Sequence, residues 1–381
     1  MDSSLEGRAF ETFSEVAATL ANPSLKRWKE RGGKVMGFFC SMLPEELFMA
    51  AGILSFRMRA TGSTGTDLAD SYFTNLNCSF PKHCLNLALD GEFEFLDGLV
   101  YANSCDHIRR LHDNWKRKVP IDFIDFLSLP HQTGPDQIDW YTQEFRNLRG
   151  RLEQHFDVEI KDENLREAIK LGNETRKLQR SLYELRKQDS PPITGAEALV
   201  VMVAGTAMPK QEYNELLREL LDQLAMREGN STHRARLMVT GGILDDLVWV
   251  RAIEDVGGLV VTDGTCFGTR IMWEDIDEGT SDPIEALARY YLAERPSCPR
   301  LFGTQEKRTR FTTKMCRDFN CDGIIGEKMM FCDQWDVEAY LLELDLKEEG
   351  IPFLKLEREY ITSGTGQLKT RVQAFIESMG K

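Results

Sequence analysis

The sequence predicts an α/β protein made of two parallel-sheet halves with a helical segment in front. Three observations carry this. Short apolar runs alternate with amphipathic stretches from residue 34 to 116, the same rhythm restarts at residue 236, and between them lies the chain's only Pro-Pro pair, Pro191-Pro192. Residues 5–31 read as helix with a break at Asn22-Pro23. Residues 34–39 form a short buried strand ending at Cys40, and Pro44-Glu45-Glu46 opens a helix that runs through Ala51 and stops at Gly52. A second extended run covers 54–59, followed by a polar loop at 62–65. Residues 97–102 are a third strand that delivers the chain to Ser104-Cys105, and 106–116 continue as helix. From 136 to 187 the sequence is charged and periodic, predicting two long helices separated near 158–162. Segment 188–194 is the expected boundary between a first domain, 1–190, and a second, 191–381. Beyond it come strands at 236–240, closed by Gly241-Gly242, then at 258–262, 323–330 and 352–356. Helices interleave near 211–226, 283–294, 305–318, 333–349 and 366–379.

At 381 residues the chain is long enough for two or three domains with their own cores, and 42% hydrophobic with 28% charged residues is the balance of a compact globular protein, which excludes a disordered or fibrous one. Lys and Arg number 47 against 61 Asp and Glu, a net charge of −14, and no basic stripe stands out; that argues against nucleic acid as a partner. No apolar run approaches the length of a spanning helix and residues 1–30 lack the apolar core of a signal peptide, so no membrane role and a cytoplasmic location are expected. Nine cysteines, an odd number, then point to reduced thiols or metal ligands rather than disulfides.

Three of them occupy related places. Cys105 follows the strand at 97–102 and immediately precedes a helix; Cys332 follows the strand at 323–330 and does the same; Cys78 lies in a loop before a helix started by Pro81. Ligands of open α/β sheets gather at the carboxyl ends of strands, where helix N-termini offer unpaired N–H groups and the positive end of the dipole. Such positions favour thiolate, the metal-binding form, and suit an anionic iron–sulfur cluster. Against this, free cysteine commonly packs as a small hydrophobe, and the spacing of the three matches no compact zinc or ferredoxin pattern. Cys84, Cys316 and Cys321 read as packing residues, and Cys266 and Cys298 have no motif around them. Glu45 and Glu46 read as surface carboxylates on a helix dipole. His107 stands near enough to Cys105 to donate a proton or tune charge, whereas Asp106, Arg109, Arg110 and His112 read as helix surface. Gly241-Gly242 and Gly364-x-Gly366 are either phosphate-cradling loops or plain turns. No Walker A motif occurs, so the chain by itself is not expected to hydrolyse ATP.

Longer words surround these residues. Gly37-Phe38-Phe39-Cys40-Ser41-Met42-Leu43-Pro44-Glu45-Glu46-Leu47 with Ala50-Ala51-Gly52, Ser104-Cys105-Asp106, Asp322-Gly323-Ile324-Ile325 running to Phe331-Cys332-Asp333, and Gly366-Gln367-Leu368-Lys369-Thr370-Arg371 with Ala374-Phe375-Ile376-Glu377 resemble, in order and approximate distance, the benzoyl-CoA reductase / 2-hydroxyacyl-CoA dehydratase family. The resemblance implies two Rossmann-like domains with one [4Fe-4S] cluster in the cleft between them, held by Cys78, Cys105 and Cys332, and a cleft-lining role for Cys40. It implies as partners a larger homologous core subunit, a separate ATPase with its own [4Fe-4S] cluster, a low-potential donor such as ferredoxin, and an acyl-CoA substrate. Chain length and the stretch from Cys105 to Arg110 with Asn114-Trp115 resemble the smaller core subunit of an ATP-dependent benzoyl-CoA reductase; the alternative is the small subunit of a [4Fe-4S] 2-hydroxyacyl-CoA dehydratase.

Overall fold

The structure, a computed structural model, describes residues 5–229, 231–362 and 364–381. Helices α1 (Arg8–Ala18) and α2 (Pro23–Glu30) open the chain. The break between them is chemical: Asn22 caps α2 by accepting the Leu25 N–H at 3.0 Å, and Pro23 fills the first helical position, where its missing N–H is no loss. Then follow β1 (Lys34–Phe38), α3 (Glu45–Ala50), β2 (Ile53–Arg57), α4 (Ser79–Leu89), β3 (Gly98–Ala102), α5 (Asp106–Lys118) and β4 (Phe123–Leu127). The four strands pair in parallel in the order β2-β1-β3-β4. Two long helices come next, α6 (Pro135–Phe156) and α7 (Asp162–Leu185).

The remaining elements are α8 (Gly195–Ala204), α9 (Lys210–Met226), β5 (Ala235–Thr240), α10 (Leu247–Glu254), β6 (Gly258–Gly264), α11 (Pro283–Arg289), α12 (Gln305–Asp318), β7 (Gly323–Met329), α13 (Asp333–Glu348), β8 (Phe353–Arg358) and α14 (Gly366–Ser378). The second sheet is parallel too, in the order β6-β5-β7-β8, so the two Rossmann-like halves repeat one topology. Every residue of β2, β3, β5 and β6 is buried, as expected of parallel strands covered on both faces. In each sheet the winding reverses between the first and third strands, β1 and β3 in one, β5 and β7 in the other. Those two reversals are where a crevice opens at the carboxyl ends.

Packing ties the halves together. Helix α1 lies on α8 and α9, and α11 lies on α6 and α7. The Tyr360 hydroxyl accepts the Ala60 N–H at 2.8 Å and donates to Asp245 at 2.6 Å, while Ser79 Oγ accepts the Tyr360 N–H at 2.8 Å. Glu45 and Glu46, read from the sequence as surface carboxylates, are enclosed because α7 packs over α3 and Lys210, the first residue of α9, reaches across to it. Glu46 pairs with Arg176 and accepts the Tyr291 hydroxyl at 2.7 Å; Glu45 pairs with Lys210 at 3.0 Å and accepts Ser55 Oγ at 2.8 Å. Burial works against the charged form of Glu45, but Lys210 outweighs it and holds the carboxyl below its ordinary value. Among the described residues no helix is long and apolar enough to cross a membrane.

Candidate metal centre

Between the halves, where both reversals meet, lies a cavity of about 320 Å³. Six cysteines line it: Cys40, Cys78 and Cys105 from the first half, Cys266, Cys298 and Cys332 from the second. The larger grooves beside Trp28 and Lys210, about 530 Å³, and beside Arg8 and Glu215, about 670 Å³, hold no cysteine.

Cys78, Cys105 and Cys332 are the N-caps of α4, α5 and α13. First-turn backbone N–H groups act to lower the pKa of each thiol, that of Phe80 for Cys78, those of Ile108 and His107 for Cys105, and that of Trp335 for Cys332. Three positive dipole ends thus converge on one cavity. Burial dominates the bare thiols, pushing Cys105 up to about 11, Cys332 up to about 12 and Cys78 well above its ordinary value. Neighbouring sulfurs add to the rise, Cys332 and Cys105 acting on Cys78, and Cys105 on Cys332. At neutral pH all three are therefore protonated, and a metal group would have to displace the protons. Cys332 is delivered by Phe331, whose φ of 64° is left-handed and unusual for a non-glycine residue; the turn from β7 into α13 is held in this strained form by its surroundings. His107 Nδ1 accepts the Cys78 N–H at 3.3 Å. Burial lowers the His107 pKa, so the ring is neutral near pH 7 with its proton on Nε2, free to donate in the cavity that the residue lines.

Arg57 and Arg109 line the cavity with the exposed carboxylates Asp106 and Asp333, and Arg270, Arg295 and Arg300 stand behind its wall, bonded to Cys266, Ser41 and Asn103. Arg57, Arg270, Arg295 and Arg300 are each at most 4% exposed, and none pairs with a carboxylate among the described residues. They donate instead to neutral groups. Arg57 reaches the Cys266 carbonyl at 2.5 Å, Arg270 the carbonyls of Gly241 at 3.0 Å and of Gly264, Arg295 the Ser41 carbonyl, and Arg300 the carbonyls of Asn103, Leu129 and Pro130. Arg57 also leaves Nε without a partner. Buried positive charge without a counter-ion is expensive, so the cleft is built for an anion. Among the described residues no three His, Cys, Asp or Glu side chains converge closely enough for a single metal ion. Thiols spread round a cavity, N–H groups aimed at them and unbalanced guanidiniums fit a larger, thiolate-bound, anionic group.

Residues 40–379 match the family described as 2-hydroxyglutaryl-CoA dehydratase, D-component. The chain belongs to that family. Relatives over nearly the full length of both partners include the (R)-phenyllactyl-CoA dehydratase beta subunit of Clostridium sporogenes, 27% identical over 97% of this chain and 98% of that one. Others are a benzoyl-CoA reductase subunit of Thauera aromatica, 25% identical over 93% of each chain, and the beta subunit of the (R)-2-hydroxyglutaryl-CoA dehydratase of Acidaminococcus fermentans, 25% over 97% and 98%. Within the family, then, this chain resembles subunits of acyl-CoA dehydratases and reductases alike.

Asp106 and Arg109, read from the sequence as helix surface, lie at the rim of the cavity, while the remaining candidates lie elsewhere or on its wall. Cys40 lines the cavity wall. Cys84 is fully buried core, and Cys316, with its sulfur 3.8 Å from the Cys321 carbonyl, packs with Cys321 away from the cleft. Arg110 pairs with Asp113 at 3.2 Å on an exposed helix face, and His112 packs between Tyr101 and Phe126. Gly241 is a tight contact: a Cβ there would overlap Glu327, which pairs with Arg358 at 2.8 Å. Gly364, just before α14, and Gly366, its first residue, stand in open space. Cys266 and Cys298, passed over in the sequence, are brought to the cleft by the fold. For Cys266 a signal existed, since it stands two residues beyond the carboxyl end of β6.

Proposed function

We propose that this chain is the smaller, cluster-carrying core subunit of an ATP-dependent acyl-CoA enzyme, with Cys78, Cys105 and Cys332 as the thiolate ligands of a [4Fe-4S] cluster. The observation that carries the reading is the convergence of three cysteine-capped helix N-termini at the reversal points of both sheets. The unbalanced guanidiniums and the family membership support it. Bound there, the cluster supplies one-electron transfer at low potential.

The chain's own residues have defined tasks. Backbone N–H groups of α4, α5 and α13 offset the negative charge on the thiolates, which raises the potential of the pair they serve. His107 offers a hydrogen-bond donor at Nε2 and fixes the Cys78 loop through Nδ1. The buried rings of Phe39 and Trp335 wall the cavity from water. ATP binding falls to a partner ATPase with its own [4Fe-4S] cluster, fed by a donor such as ferredoxin, and a larger homologous core subunit completes the enzyme in the cytoplasm.

For the reaction, the sequence around Cys105 supports dearomatising reduction of benzoyl-CoA or a close relative. Radical dehydration of a 2-hydroxyacyl-CoA is the second reading, favoured by the dehydratase names of several relatives and by the roles of Asn114 and Trp115. Asn114 donates to the Tyr72 carbonyl at 3.0 Å and Trp115 is buried core, so both are packing positions and not marks of a reductase. The assay is anaerobic turnover of the chain co-expressed with its homologous and ATPase partners. A reductase oxidises the donor in step with product; a dehydratase forms the enoyl thioester with only catalytic donor. Failure of the iron-loaded complex to turn over either class of thioester would overturn the proposal.

A further inference from the structure

Away from the cleft, at the turn from α12 into β7, stand two cysteines that the proposed function does not use. We infer that Cys316 and Cys321 form a redox-active dithiol, a modification site that hydrogen peroxide closes to a disulfide and that acts on the segment between α7 and α8. The inference does not depend on the cluster reading.

The backbone holds the pair together. Cys316 lies in the last turn of α12 and Cys321 two residues before β7. Between them Asn320 takes a left-handed φ of 51°, which folds the chain back so that the Cys321 N–H donates to the Cys316 carbonyl at 2.9 Å. The Cys316 sulfur comes within 3.8 Å of the Cys321 carbonyl, and the two side chains are joined by a hydrogen bond. Thiols in contact across a closed turn are the arrangement from which side-chain rotation makes an S–S bond. Cys316 is 3% exposed, whereas Cys321 is half-buried and opens the pair to a small oxidant. Cys84 and the six cleft cysteines lie elsewhere, so each of these two thiols has the other as its partner.

The independent observation is the positive charge gathered at this turn. Arg186, 2% exposed, leaves Nε and Nη1 without a hydrogen-bond partner. Buried Arg236 donates to carbonyls only, those of Phe319 at 2.9 Å, Gln188 at 2.8 Å and Arg186 at 2.9 Å. Both cations act on Cys321 and Arg317 acts on Cys316, an electropositive setting of the kind that reactive cysteines occupy. The hydrogen bond between the thiols, the largest influence on each, lowers the pKa of Cys316 and raises that of Cys321, so Cys316 is the nucleophile. Its thiolate attacks one peroxide oxygen; the O–O bond breaks, a sulfenic acid forms, and the departing hydroxide takes up the proton the thiol had released. The Cys321 sulfur then displaces the hydroxyl, which leaves as a second water with the Cys321 proton. Two electrons have passed from the sulfurs to the peroxide. Arg236 carries the change onward, because one guanidinium holds both the Phe319 carbonyl inside the dithiol turn and the chain leaving α7.

The test exposes the reduced full chain to an equivalent of hydrogen peroxide under anaerobic conditions, alkylates the remaining thiols and digests with trypsin, which cuts after Arg317 between the two cysteines. The expected product is a pair of peptides held together by a Cys316–Cys321 bond, formed roughly tenfold faster than Cys84 loses its thiol and released by dithiothreitol. Hydrogen exchange of residues 186–190 should slow when the bond forms and recover on reduction. Cys316→Ser and Cys321→Ser should each abolish the linked pair. Recovery of Cys316 and Cys321 in alkylated form after peroxide, or their bonding to other cysteines, overturns the inference; exchange at 186–190 that ignores the bond overturns its effect on the segment between α7 and α8. The wild-type digest decides on its own, so a misfolded variant does not rescue the idea, and the result is the same whether or not the cleft holds iron.

Discussion

Replacing Arg57 with methionine should make the metal-free protein slightly more stable, the reverse of what losing a buried, hydrogen-bonded side chain ordinarily does. Methionine keeps an unbranched chain of similar reach and deletes the charge. Removing an uncompensated buried charge recovers about 3 kcal/mol, the lower end of the penalty for leaving such a charge unpaired. Against that, the hydrogen bond to the Cys266 carbonyl is worth about 1 kcal/mol, and the contact with the Phe267 ring, 4.4 Å to its centre, about another 1 kcal/mol. The net is a gain of about 1 kcal/mol. Urea titration of chelator-treated protein under anaerobic conditions, followed by intrinsic fluorescence, reads it as a higher midpoint. In the iron-loaded protein the order should invert, because the cation then faces its anion. A metal-free variant weaker than wild type by about 2 kcal/mol or more would refute the reasoning, since it would mean that the chain already balances Arg57 by itself.

Further consequences concern stability. Arg176→Met strands the buried Glu46 carboxylate with the Tyr291 hydroxyl and should lower stability by about 3–5 kcal/mol in the same titration, most of it restored by adding Glu46→Gln. Gly241→Ala should cost about 1–3 kcal/mol in calorimetry, because the new methyl overlaps a Glu327 side chain that Arg358 holds in place. Glu254 accepts N–H groups from Gly195, Ala196 and Val260, yet burial raises its pKa from 4.5 to about 7. Between those values the folded chain keeps a proton that the unfolded chain has released, so this group's contribution to stability falls as pH rises from 4.5 to about 7. Over that window the stability of Glu254→Gln relative to wild type should improve by up to about 3 kcal/mol, and a flat or opposite trend would show the carboxylate to be ionised in the fold.

Much of this architecture could be read before any coordinates. The strands of the halves announce themselves as short apolar runs followed by glycine or a polar turn, and Asn22-Pro23 marks the α1–α2 break by cap chemistry alone. The misses have physical causes. Helix α8 is buried on nearly every side, so Ala198-Leu199-Val200-Val201-Met202 shows no amphipathic period. Helix α10 is rich in Val and Trp and reads locally as strand, while Asp125 interrupts the apolar run of β4 and pairs with Arg151 at 2.7 Å. Cys78, Cys105 and Cys332 were legible because each precedes a helix. The buried guanidiniums were not, since Arg57, Arg270 and the pair Arg295 and Arg300 come from three separate segments and look like surface residues until the fold encloses them.

Iron and acid-labile sulfide counted in anaerobically isolated protein address the central claim most directly. About four of each per chain are expected, with loss of both in Cys78→Ser, Cys105→Ser and Cys332→Ser but not in Cys84→Ser. Iron-free wild-type protein, or serine variants that keep their full iron, would contradict it.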